Sequence, residues 1–84
     1  MNTLAERIIS KQKDTLRKVN NARFEHEGWE YRINYDGGIA EFISIYGRKK
    51  GGSNYKYIDG FVGYKFFDKE QVIAYAKNLI YQKV

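Results

Sequence analysis

Arg48, Lys49 and Lys50 follow one another between Gly47 and the pair Gly51-Gly52, and Ser53 and Asn54 close the stretch. Three adjacent cations on a glycine-rich segment are poor core material, so the segment faces water or an anionic partner. Lys and Arg supply charge for phosphate oxygens, and glycine lets a backbone approach them closely. Tyr46, Tyr55 and Tyr57 flank the segment, and an exposed ring beside a cation offers a base a surface to stack on. The spelling differs from a nucleotide phosphate loop, which ends in Gly-Lys-Ser or Gly-Lys-Thr. Without a phosphate to meet, the same residues make a solvated hairpin loop whose charges blunt a sheet edge.

Other chemistry is sparse. His26 is the single histidine and stands between Glu25 and Glu27. Consecutive side chains on regular structure cannot converge on one metal, and no cysteine is present to complete a site. The sequence therefore places His26 on a surface loop. Hydrolytic triads need a histidine base beside a nucleophile, and glycosidases need two converging carboxylates. Neither pattern is spelled out, so no catalytic residue, metal or cofactor is expected and the chain does not read as an enzyme.

Charge is segmented rather than uniform. The formal total is +5, but residues 1–23 carry +4, residues 24–47 carry −4, residues 48–56 carry +4 and the remainder +1. Arg7, Lys11 and Lys18 cluster beside the apolar stripe of the first helix, making a second cationic surface to set beside the loop. Two positive segments around a negative one suit electrostatic docking onto another protein, or self-association.

The elements that position these groups follow from periodicity. Thr3 and Glu6 form a capping box, and Leu4, Ala5, Ile8, Ile9, Leu16 and Val19 recur at helical spacing, predicting a helix over 3–20. From Gly28 the period changes to two: Trp29, Tyr31, Ile33 and Tyr35 point one way, Glu30, Arg32 and Asn34 the other. This is a strand over 29–35. Asp36-Gly37-Gly38 signals a hairpin into a strand over 39–46. A bulged turn sets Ile39, Ile43 and Ile45 on the face of Trp29, whereas a two-residue turn sets Ala40, Phe42 and Tyr46 there. The bulged register gathers more apolar area and is preferred, at the expense of an awkward Glu41. A third strand covers 55–67, with a break at Gly60–Gly63 that would divide it in two. Asp68 caps a last helix over 69–83, with Gln71 at the third position and Val72, Ile73, Ala76, Leu79 and Ile80 as its buried stripe. Trp29, Phe42, Phe66 and Phe67 are read as core.

The order α-β-β-β(-β)-α describes a single small α+β domain over 1–84, an antiparallel sheet packed by the N- and C-terminal helices. Gly28-Trp29-Glu30-Tyr31-Arg32 entering the first strand, and Gly63-Tyr64-Lys65-Phe66-Phe67-Asp68-Lys69-Glu70-Gln71 leading into the last helix, resemble the N-terminal DNA-binding domains of phage and transposon integrases. That resemblance implies a three-stranded sheet entering the major groove, with Arg32, Lys56 and Lys65 contacting DNA. Double-stranded-RNA-binding domains share the element order, but their Gly-Pro-x-His loop has no counterpart here.

The resulting expectation is a small nucleic-acid-binding accessory or regulatory protein of phage or mobile-element origin, DNA before RNA. Its contacts would be Arg48, Lys49, Lys50 and Lys56 of the loop, Tyr46, Tyr55 and Tyr57 beside it, Arg7, Lys11 and Lys18 of the helix, and Arg32 and Lys65. The alternative is a protein–protein module, such as a phage-encoded inhibitor of a bacterial host enzyme, with homodimerisation a further option. No apolar run approaches the roughly 18 residues that span a bilayer, and the N-terminus lacks a signal-like apolar segment, so a cytoplasmic location without membrane contact is expected.

Overall fold

A computed structural model describes residues 4–38 and 40–83, and for residues 4–10 it describes the backbone alone. Helix α1 (Leu4–Arg17) is followed by four strands, β1 (Arg23–His26), β2 (Trp29–Gly37), β3 (Phe42–Lys49) and β4 (Lys56–Val62), and by helix α2 (Lys69–Lys83). The strands form one antiparallel sheet in the order β1-β2-β3-β4. The α+β class and the two flanking helices are as expected from sequence. Thr3 lies outside the described residues, and so do the side chains of Leu4, Ala5, Glu6, Arg7, Ile8 and Ile9, hence the capping box of Thr3 and Glu6 and the first half of the apolar stripe.

The fourth strand comes from an unexpected place. It is Arg23–His26, ahead of the strand that opens at Trp29, while 56–62 runs unbroken through Gly60. Glu27 and Gly28 join β1 to β2, both with positive φ (53° and 80°), and His26 stands opposite Trp29. Two such residues define the turn whose twist suits a two-residue hairpin. His26 is accordingly a half-buried strand residue with its ring 4.3 Å from that of Tyr81, rather than a loop residue. Helix α1 stops at Arg17 rather than running to 20. Asn21 takes φ 69° and donates its amide to the Ile33 carbonyl, while the Asn20 side-chain oxygen accepts the Tyr35 amide. Asparagine side chains offer the backbone this alternative to helix.

The β2–β3 pairing is the bulged one. Ile33 stands opposite Ile45 and Tyr35 opposite Ile43, with the register shift between Tyr35 and Gly37. Ile39 lies outside the described residues. The core forms on this face: Ile33, Ile43 and Ile45 are fully buried in one cluster with Leu16 within α1, Val19 just after it, and Val72, Ala76 and Ile80 of α2. Both helices therefore share one side of the sheet. The glutamate that made this register awkward is accommodated locally. Glu41, buried with φ 53°, accepts the Tyr35 hydroxyl and lies 3.8 Å from Lys13 Nζ.

Burial, followed by the hydrogen bond to Glu41 and that carboxylate's charge, raises the Tyr35 hydroxyl above the ordinary tyrosine value, with Arg17 pulling the other way. Burial alone raises Tyr31. In the unfolded chain both titrate near about pH 10, so above that pH the native state holds more protons and stability falls as pH climbs toward the raised native values. Their contribution is fully present below about pH 10. Denaturant midpoints across the alkaline range should fall less steeply for Tyr35→Phe than for the parent chain.

A candidate nucleic-acid interface

Strand register distributes the basic loop and its neighbours over two adjoining surfaces. On the helix-bearing side, Trp29 stands opposite Lys49, and Lys56 opposite Gly47. Gly47 is required there, because a Cβ would fall 2.8 Å from the Tyr31 ring and 3.1 Å from Ile58. After Lys49 the chain turns tightly. The Gly52 amide donates to the Lys49 carbonyl (2.7 Å), Gly51 adopts φ 83°, and the Lys50 amide donates to Gly28 (3.0 Å). The stretch is thus a built turn hydrogen-bonded to the β1–β2 hairpin. Trp29, Lys49, Lys56 and the chain at 52–54 line a cleft of about 290 Å3.

The opposite side of the sheet carries no helix among the described residues. Here a row crosses all four strands: Arg23 opposite Arg32, Arg32 opposite Tyr46, and Tyr46 opposite Tyr57. Tyr46 and Tyr57 meet edge to face at 5.9 Å, and Tyr57 is 55% exposed. The next row is ionic. Glu25 stands opposite Glu30, and Glu30 opposite Arg48, whose Nε and Nη2 both donate to Glu30 (3.2 and 3.0 Å). Tyr55 lies over both guanidinium groups, 4.9 Å from Arg32 and 4.4 Å from Arg48. Its hydroxyl is buried without a partner, as is Arg32 Nε. Asp36 accepts hydrogen bonds from Asn34 and Ser44, completing a polar patch beyond.

The expected contact residues are therefore not all alike. Arg48 is tied to Glu30 across the strand pair, and the Tyr55 ring packs against the guanidinium groups of both Arg48 and Arg32. Among the described residues Lys50 makes only an exposed ion pair with Glu25 (3.6 Å), a kind of contact worth about 0–1 kcal/mol, so it can exchange to another anion. Lys49 and Lys56 make no ion pair among the described residues. Lys65 is elsewhere: it follows β4, beyond the sheet's other end, over the rings of Phe66 and Tyr75. Arg32, Lys56 and Lys65, the trio implied by the integrase resemblance, thus occupy three different places.

Helix α1 does not join the loop in one surface. Its second half sits at the far end of the sheet, where Lys13 meets Glu41 and the buried Gln12 side chain donates to the carbonyls of Tyr64 and Phe66. Six residue steps along β2 separate that end from Trp29, about 20 Å. Lys11 is exposed on this distant helix, and Lys18 is exposed in the turn that follows it.

Two residues of the interface escape a reading by sequence. Arg23 joins the cross-sheet row only because β1 exists, and the alternation Arg23-Phe24-Glu25-His26 was its one signal. Trp29 was assigned to the core by its period, yet it is 36% exposed at the sheet's end. Phe67 is also exposed rather than buried, whereas Phe66 packs on the core and Phe42 is half-buried on the helix-free side. Among the described residues no helix is long and apolar enough to cross a membrane, and no cluster of His, Asp or Glu could hold a metal ion. Comparison with protein-family models, curated proteins and solved structures found no match to this chain.

Proposed function

We propose that this protein binds nucleic acid through the loop end of its sheet, as a small accessory or regulatory factor of phage or mobile-element origin. The observation that carries the reading is the placement of Lys49 and Lys56, both without ion pairs among the described residues, around an exposed tryptophan. Phosphates supply the counter-charge these lysines lack, and the aromatic ring supplies a surface that ordinary solvation does not need. Lys50 adds a third cation once it leaves Glu25.

Three phosphate contacts predict a slope of log affinity on log salt of about −2 for a single strand and about −2.7 for a duplex. Binding of generic single-stranded and duplex DNA should therefore weaken about 20- to 40-fold between 50 and 200 mM salt. Fluorescence anisotropy of labelled oligonucleotides measures this directly. Absence of binding to either form at the lower salt rejects the proposal.

The helix-free side favours a second reading. Its arginines, Arg23, Arg32 and Arg48, are balanced among the described residues by Glu25, Glu30 and Asp36. A neutral, aromatic, partly ion-paired face is better suited to another protein than to a polyanion. A stoichiometric protein partner retained from a nuclease-treated bacterial lysate, together with no DNA binding, selects the protein–protein module.

A further inference from the structure

We infer that the ligand of the loop end is an unpaired nucleotide strand, with one base seated against Trp29 in the cleft and its neighbouring phosphates on Lys49 and Lys56. This rests on the nucleic-acid reading above and adds the substrate class. Three features of the site carry it.

The first is the state of Trp29. It shares its face of β2 with Tyr31 and Ile33, which are buried, yet it stays exposed and takes no part in the hydrophobic cluster. A large indole left outside the core of so small a domain is available for contact. Bases offer their flat faces to such a ring only when they are unpaired and unstacked.

Shape is the second. The cleft of about 290 Å3 is at the small end of the range for ligand pockets, and lies between side chains of neighbouring strands. It can receive one base edge-on or flat, but a paired base within a duplex cannot leave its stack to enter without the cost of unpairing.

Third, the cations are arranged around the ring. Lys49 stands directly across the strand pair from Trp29, and Lys56 stands one strand further on, opposite Gly47. Cross-strand neighbours lie about 5 Å apart, and adjoining strands about 4.8 Å. Both lysines line the cleft together with Trp29, on the β3 and β4 side of the indole, where a strand's backbone would run past a stacked base. Duplex recognition would instead call on a broad basic face, and the helix-free side is neutral while the α1 lysines lie about 20 Å away.

Trp29 is the chain's single tryptophan, so its fluorescence reports on this site alone. Titrating the full chain with an oligothymidine at 50 mM salt should quench that emission. Anisotropy of the labelled strand should follow the same isotherm, with a blunt duplex of equal length binding more weakly. Trp29→Ala should weaken single-strand binding by about 5- to 150-fold, the range for loss of one stacked base. Trp29→Phe, which keeps a ring, should recover most of that loss, and circular dichroism confirms that both variants are folded. Single-strand binding by anisotropy with unchanged Trp29 emission, or a duplex bound more tightly, overturns the inference while leaving nucleic-acid binding in place. No binding of either form overturns both.

Discussion

Replacing Ile45 by Ala should lower the free energy of unfolding by about 2–5 kcal/mol. Ile45 is fully buried on β3, an interior strand, opposite Ile33 on one side and Asp59 on the other. It belongs to the cluster that joins the sheet to Val72, Ala76 and Ile80 of α2. Truncation removes three carbons from a site whose neighbours come from separate elements, so collapse into the gap requires several of them to move together. The total stability of an 84-residue domain is on the order of 4–13 kcal/mol. The substitution therefore consumes a large part of the margin. A urea titration should show a lower midpoint with an unchanged m-value. Phe67→Ala, at a ring 57% exposed, should change the free energy of unfolding by no more than about 0.5 kcal/mol. Equal effects at the two positions would mean that the core does not lie between this face and the helices.

That core was legible in the sequence because two signals agree there. Alternation from Trp29 to Tyr35 fixes a face, and the glycines after Asp36 fix a hairpin whose bulged register brings Ile43 and Ile45 onto it. β1 was hidden because its turn is Glu27-Gly28, and glutamate is an uncommon choice for a positive φ. With that turn unseen, Arg23–His26 reads as connecting chain, and Arg23 drops out of the cross-sheet row. The first helix was read too long because propensity alone does not register the bond between Asn20 and the Tyr35 amide, 15 residues away.

The basic loop was visible, but its electrostatics depended on register. In the chain, residues 24–47 and 48–56 are blocks of opposite sign. Pairing β2 with β3 lays them side by side, so Glu30 neutralises Arg48 and Glu25 reaches Lys50. What began as three equivalent cations becomes one structural arginine, one exchangeable lysine and one lysine without an ion pair among the described residues, and Lys56 enters from β4. Proximity in sequence does not group these cations; their strand partners do.

This sorting gives the second large effect. Lys49→Ala combined with Lys56→Ala should reduce the salt slope for a single strand from about −2 to about −0.7, because two of three released counterions are lost. At 50 mM salt the same loss corresponds to binding weaker by about 50-fold. Both side chains project from strand ends without ion pairs among the described residues, so thermal stability should hardly change. Arg48→Ala should behave in the opposite way. Its guanidinium is about three-quarters covered, paired to an equally covered Glu30 and stacked on Tyr55. Its removal leaves that carboxylate half-buried without its partner and should lower the melting temperature, with the salt slope nearly unchanged. Salt series and thermal melts on the two variants separate charge that meets the ligand from charge that holds the sheet. A steep fall in slope for Arg48→Ala, with none for the double lysine variant, would move the phosphate path to the helix-free side of the sheet, onto the row that begins at Arg23.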